Sequence, residues 1–204
     1  MDMLSSNLII IVLTCVVSYT AFNNPKLMDD WILSPFKAYR DKQYYRYVTY
    51  GFLHADGMHL LFNMITLFFF GQLTEGFYNS QLGPFGFALF YLGGIIFSVL
   101  PSAMQNKQDP RYATLGASGA VSAVLFAYIL FEPWTTLLIF FVPCPAIIYA
   151  VLYVAYSIWL DKKGGDNVNH SAHLWGAAYG VAATLLIQPS VLSNFLNKLM
   201  SPFS

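Results

Sequence analysis

The sequence predicts an all-α membrane protein, a bundle of six membrane-spanning helices with a first loop that rests on the membrane. Three observations predict it. The 204 residues are 57% hydrophobic and only 10% charged, against about one quarter charged in a soluble domain. Six apolar segments approach the ~20 residues that a helix needs to cross the hydrocarbon layer. The eight aspartates all lie outside the centres of those segments, and Glu75 and Glu132 lie at segment ends.

The first segment, Leu4–Phe22, is preceded by no basic region and followed by no clear small-residue cleavage site, so it is expected to be a retained span. The connection from Asn23 to Asp56 mixes Trp31, Phe36, Tyr39, Tyr44 and Tyr45 with Lys37, Arg40, Lys42 and Arg46. Amphipathic rings and snorkelling cations both find partners in the headgroup layer, which is where this loop is expected. Spans two and three are Gly57–Phe77 and Pro84–Met104. A polar loop, Gln105 to Arg111, leads to span four, Leu115–Phe131. Span five, Trp134–Leu160, contains Pro143-Cys144-Pro145, which removes backbone donors and is expected to kink or break the helix. Span six is Ala172–Pro189. Residues 1–204 read as one membrane domain without repeats, and Cys15 and Cys144 read as small apolar residues rather than a disulfide.

Ten basic and ten acidic residues balance, so nothing global recruits nucleic acid. An aspartyl protease of the membrane needs two mid-span aspartates, and none is present; Gly164-Gly165-Asp166 is a loop. A zinc protease needs H-E-x-x-H, whereas His59-Leu-Leu-Phe-Asn63 has the spacing without the glutamate or the second histidine. No metal or organic cofactor is expected. The polar residues that remain within apolar sequence are Ser118, His173, His59 and Asn63. Such groups are costly in a span and face a cavity or each other.

Taken alone, Ser118 in Gly116-Ala-Ser118-Gly119-Ala120 reads first as a small-residue helix contact and only second as a nucleophile. His173, Gly176 and Gly180 share one helical face, so the histidine stands over a glycine groove. Gly119 and Ala120 offer the matching small surface on span four. Close packing of the two spans would bring Ser118 within reach of His173. A serine hydroxyl is a poor nucleophile until a base takes its proton, and imidazole, with an unperturbed pKa near 6.5, suits that task. His59 and Asn63, one turn apart, can donate to an oxyanion, as can the unpaired Ser118 amide near a helix start.

Together Gly116-x-Ser118-Gly119, His59-x-x-x-Asn63 and Ala172-His173-x-x-Gly176-x-x-x-Gly180 resemble the motifs of the rhomboid intramembrane serine proteases, in their order and on their spans. Tyr45-Arg46 is similar to the family's Trp-Arg pair. The resemblance covers nearly the whole chain and implies a minimal six-span bacterial form in an inner membrane. It also implies that Ser118 attacks a peptide bond in or beside a substrate's transmembrane helix, with lateral entry between spans two and five. Transmembrane proteins and the lipid bilayer are the implied partners, and nucleic acid is not among them. One departure is Ser122, four residues after the nucleophile, where some bacterial relatives carry a tyrosine that stacks on the histidine. What orients His173 is therefore open.

Two other readings stand beside the protease. A catalytically silent rhomboid-like protein would bind client helices, although it would need neither Ser118 nor His173. A small transporter would line a path with polar groups, yet acidic residues mid-span and an inverted repeat are both missing. Two signals set opposite orientations. Nine of the ten lysines and arginines fall in odd-numbered loops, which the positive-inside rule assigns to the cytoplasm. The resemblance implies the reverse: cytoplasmic termini and a site opening outward.

Overall fold

The computed structural model describes residues 5–139, 142–165 and 168–201. Helix α1 (Ser6–Phe22) starts at Ser5, whose hydroxyl caps the Leu8 amide. The Glu75 carboxylate also accepts from Ser5 Oγ and from the amides of Ser6 and Asn7. A carboxylate at a helix N-terminus satisfies unpaired donors and complements the helix dipole. Leu4, the expected first residue of this span, lies outside the described residues.

The first loop is built from three short helices, α2 (Pro25–Trp31), α3 (Pro35–Arg40) and α4 (Arg46–Thr49), and a 3₁₀ turn at Tyr50–Phe52. Asn24 and Ser34 cap α2 and α3, and each is followed by a proline at the first helical position. Arg46 is buried and donates to the carbonyls of Asp29 and Ile32 and to Gln43 Oε1. Its guanidinium thus ties the loop to itself, lying 5.5 Å from the Tyr45 ring. Two backbone hydrogen bonds join Leu33 to Thr114, and Gly116 N–H donates to Tyr50 O. These bonds moor the loop to the segment that precedes Ser118.

Helices α5 (Gly57–Leu82) and α6 (Gly86–Gln105) are each long and apolar enough to cross a membrane. Helix α1, with 17 residues, and α7 (Ser118–Phe131), with 14, are apolar but shorter. Helix α7 is the axis of the molecule, burying eleven of its residues against α5, α6 and α9. It begins at Ser118 rather than Leu115, so Leu115–Ala117 belong to the approach. Helix α9 (His170–Ile187) turns through 113° into α10 (Ser190–Met200).

Span five is where sequence and structure part. Residues Trp134–Leu160 do not form one helix. Strands β1 (Thr136–Ile139) and β2 (Val142–Pro145) pair antiparallel, Leu137 opposite Cys144, and helix α8 (Ala146–Lys163) starts immediately after Pro145. A helix cannot run through two prolines spaced by one residue, and the preceding apolar, β-branched run suits a strand. The fold is therefore mostly helical, with one small hairpin, rather than all-α. Phe140 and Phe141, between the strands, lie outside the described residues.

The glycine groove is present, with one partner exchanged. A Cβ on Gly176 would overlap the Gly119 backbone, and one on Gly180 would overlap the Ala123 backbone. So α9 reads Gly119 and Ala123, four residues apart on one face of α7. Ala120 faces elsewhere: it packs on Gly94 of α6, where a Cβ would come within 3.1 Å of the Ala120 Cα. Helix α7 is thus gripped on two sides by helices that approach through glycine.

Candidate active site

The local sequence explains how Ser118 is presented. Gly116 has φ +124°, a backbone that favours glycine, and a Cβ there would sit 2.9 Å from His59 Cε1. The chain turns sharply at Gly116 and enters α7 at Ser118, with no side-chain cap on the first amides. His173 lies in the first turn of α9, which is capped by Asn169: its Oδ1 accepts from the Ala172 amide at 3.0 Å. Asn169 is itself held by donating to Ser102 Oγ at 3.0 Å and to Tyr112 OH at 3.1 Å. The start of α9 is thus tied both to its own first turn and to the segment that leads into α7. His173 Nε2 and Ser118 Oγ lie 2.8 Å apart, within hydrogen-bond reach.

The pair opens into a cavity of about 770 Å³ that Gly116, Gly119, His59, Asn63, Tyr153 and Asn169 also line. Asn63 Nδ2 donates one hydrogen to His59 O at 3.0 Å, leaving its second for another acceptor. Asp56 caps α5 by accepting from the His59 amide at 2.8 Å, which sets the register of both residues. Gly176 and Gly180 lie away from the cavity, under the dyad, where they bring α9 onto α7.

Two neighbours escaped the sequence reading. Tyr153 of α8 lays its ring beside the His173 imidazole, centroids 6.2 Å apart and planes 26° from parallel, and its hydroxyl is 2.6 Å from Ser122 Oγ. His54, fully buried, stands edge-on to His59 at 4.9 Å. Burial, with the neighbouring His59 adding to it, pushes the His54 pKa down to about 3, against a weaker opposing pull from Asp56.

Residues 41–190 match the Rhomboid domain family. This chain belongs to the rhomboid family. It is 30% identical over 179 residues to RHOMBOID-like protein 12, mitochondrial, of Arabidopsis thaliana, covering 82% of this chain and 53% of the relative. It is 34% identical over 154 residues to Rhomboid-like protein 11, chloroplastic, of the same plant, covering 71% and 52%. Rhomboid protease GlpG of Salmonella paratyphi A is 28% identical over 180 residues, covering 85% and 60%. The chain spans between half and two thirds of the length of these curated relatives. The family, with the apolar helices, makes it an integral membrane protein, and its relatives include one from a bacterium and two named as mitochondrial and chloroplastic.

Proposed function

We propose that the chain is an intramembrane serine endopeptidase that cleaves peptide bonds in or beside the transmembrane helices of its substrates. The observation that carries the reading is the 2.8 Å contact of His173 Nε2 with Ser118 Oγ at the wall of a cavity. Ser118 Oγ attacks the scissile carbonyl while its proton passes to His173 Nε2. The carbonyl oxygen becomes an oxyanion, which accepts from the Ser118 amide, the free Asn63 N–H and the His59 ring. His173 then gives its proton to the leaving amine, and an acyl-enzyme remains. Water, deprotonated by His173, attacks the ester carbon, and Ser118 leaves with the returned proton. The active unit is a dyad on α7 and α9, in a bundle of six spans formed by α1, α5, α6, α7, α8 and α9. A bacterial inner membrane is the residence proposed for it.

The test is cleavage of a transmembrane model substrate by purified protein, with fluorophosphonate labelling of Ser118. Ser118→Ala and His173→Ala are each expected to abolish cleavage while the protein stays folded. The double variant is expected to be no worse than either single one, because the two residues act as a unit. Substantial cleavage by Ser118→Ala would sink the serine mechanism. A wild-type protein that binds helices but neither labels nor cleaves would be a silent binder instead.

A further inference from the structure

Ser122 occupies the next turn of α7 below the nucleophile, and its hydroxyl makes two contacts. Its single hydrogen goes to the Ser118 carbonyl at 2.8 Å. The Tyr153 hydroxyl at 2.6 Å must therefore be the donor to Ser122 Oγ. A directed chain follows: Tyr153 O–H to Ser122 Oγ, and Ser122 O–H to the carbonyl of the nucleophile itself. One end of the Tyr153 ring is thereby pinned to the backbone that carries Ser118. The ring lies beside His173, which also meets His170 at 5.8 Å and 85°. A ring held at both ends limits how far the imidazole can rotate about its own bonds.

Tyr153 does not come from either helix of the dyad. It comes from α8, which is thinly held: Ala146, Ala150 and Ser157 are its buried residues, and many of its apolar side chains face outward. Across the gap to α7, Tyr153 is the residue of α8 that reaches both His173 and Ser122. We propose that Tyr153 is a positioning residue for His173, and that it makes alignment of the imidazole depend on α8 being seated against α7 and α9. The proposal rests on the serine-protease reading above. When α8 moves out, the ring leaves with it, and the base loses one wall. The dyad is then set for chemistry only after α8 has closed on whatever has entered.

The experiment uses the full chain reconstituted in phospholipid vesicles with a fluorogenic transmembrane peptide. The variants are Tyr153→Phe, Tyr153→Leu, Ser122→Ala and Ser157→Leu. Tyr153→Leu is expected to lower kcat by about tenfold to 10²-fold with KM within about twofold, since misplaced groups cost rate rather than binding. Tyr153→Phe keeps the ring and is expected to retain most of kcat. Ser122→Ala removes the bond from Tyr153 and the one to Ser118 O, so it is expected to lower kcat at least as much as Tyr153→Phe, and the combination to be no worse than Ser122→Ala alone. Ser157→Leu, which wedges α8 outward, is expected to lower kcat in the wild-type background and to add nothing to Tyr153→Leu. Wild-type kcat in Tyr153→Leu overturns the positioning role, as does equal loss in Tyr153→Phe and Tyr153→Leu. Full additivity of Ser157→Leu with Tyr153→Leu overturns the link to α8. Absence of Ser118 labelling and of cleavage in the unmodified protein is a different failure: it removes the protease reading itself, and this proposal with it.

Discussion

His54 shows how much a single side chain can be read from its neighbours. Ser18 Oγ donates to Phe52 O at 2.8 Å, so at 2.9 Å from His54 Nδ1 it can only accept. Nδ1 therefore carries the hydrogen, and Nε2 is a bare acceptor, buried without a partner among the described residues. A proton added there would place a charge in a buried site with no acceptor among the described residues, which is the physical cause of the lowered pKa. The sign of the consequence is definite. Between about pH 6.5 and about 3 the unfolded chain binds this proton and the folded chain does not, so stability falls as pH falls through that window. One such proton costs roughly 1.4 kcal/mol per pH unit. Thermal unfolding in detergent between pH 7 and 4 is expected to show this slope, and His54→Gln to flatten it. An unchanged slope in His54→Gln would assign the acid sensitivity to other groups. At this scale Ser118, His173, His59 and Asn63 were legible because polar residues inside apolar sequence stand out. Tyr153 was not, being one of 14 tyrosines whose partner Ser122 lies 31 positions away.

Between helices, the fit is set by what is missing from glycine. Because Gly176 meets the Gly119 backbone directly, even one added methyl must push α9 off α7, and His173 rides on the end that moves. Overpacking of this kind costs roughly 1–3 kcal/mol. Gly176→Ala is accordingly expected to lower the unfolding temperature and to remove most Ser118 labelling. Gly76→Ala, on α5 with nothing within 4 Å, is the matched control and is expected to leave both unchanged. Equal behaviour of the two variants would show that the α7–α9 contact has slack. The groove was legible from spacing alone, since Gly176 and Gly180 repeat at one helical turn. Its partners were half legible. Small residues at Gly119, Ala120 and Ala123 look alike in sequence, and only packing assigns Ala123 to α9 and Ala120 to α6. The hairpin was announced by its prolines as a break in the helix. What replaced the helix depended on pairing between Leu137 and Cys144, which no periodicity records.

For the molecule as a whole, the direction it faces in the membrane depends on its cations. Of the five cations in the first loop, Lys37 pairs with Asp29 at 2.8 Å, Arg40 with Asp41 at 2.7 Å, and Arg46 is consumed by backbone carbonyls. Of these only Arg46 is buried and so withdrawn from the loop surface, and the expectation of cytoplasmic termini and a site near the outer face rests on the family resemblance. Reporter fusions after Ser204 and between Lys162 and Gly165 are expected to give a cytoplasmic signal from the first and an external one from the second. The reverse pattern would turn the site inward. A last consequence belongs to the hairpin. Ala146 N–H bonds to Thr135 O, so by antiparallel alternation Cys144 points its amide toward β1, while positions 143 and 145 point outward. Both outward positions are proline. The free edge of β2 therefore offers no N–H to a neighbouring strand, and a third strand could pair there only through the carbonyls of positions 143 and 145.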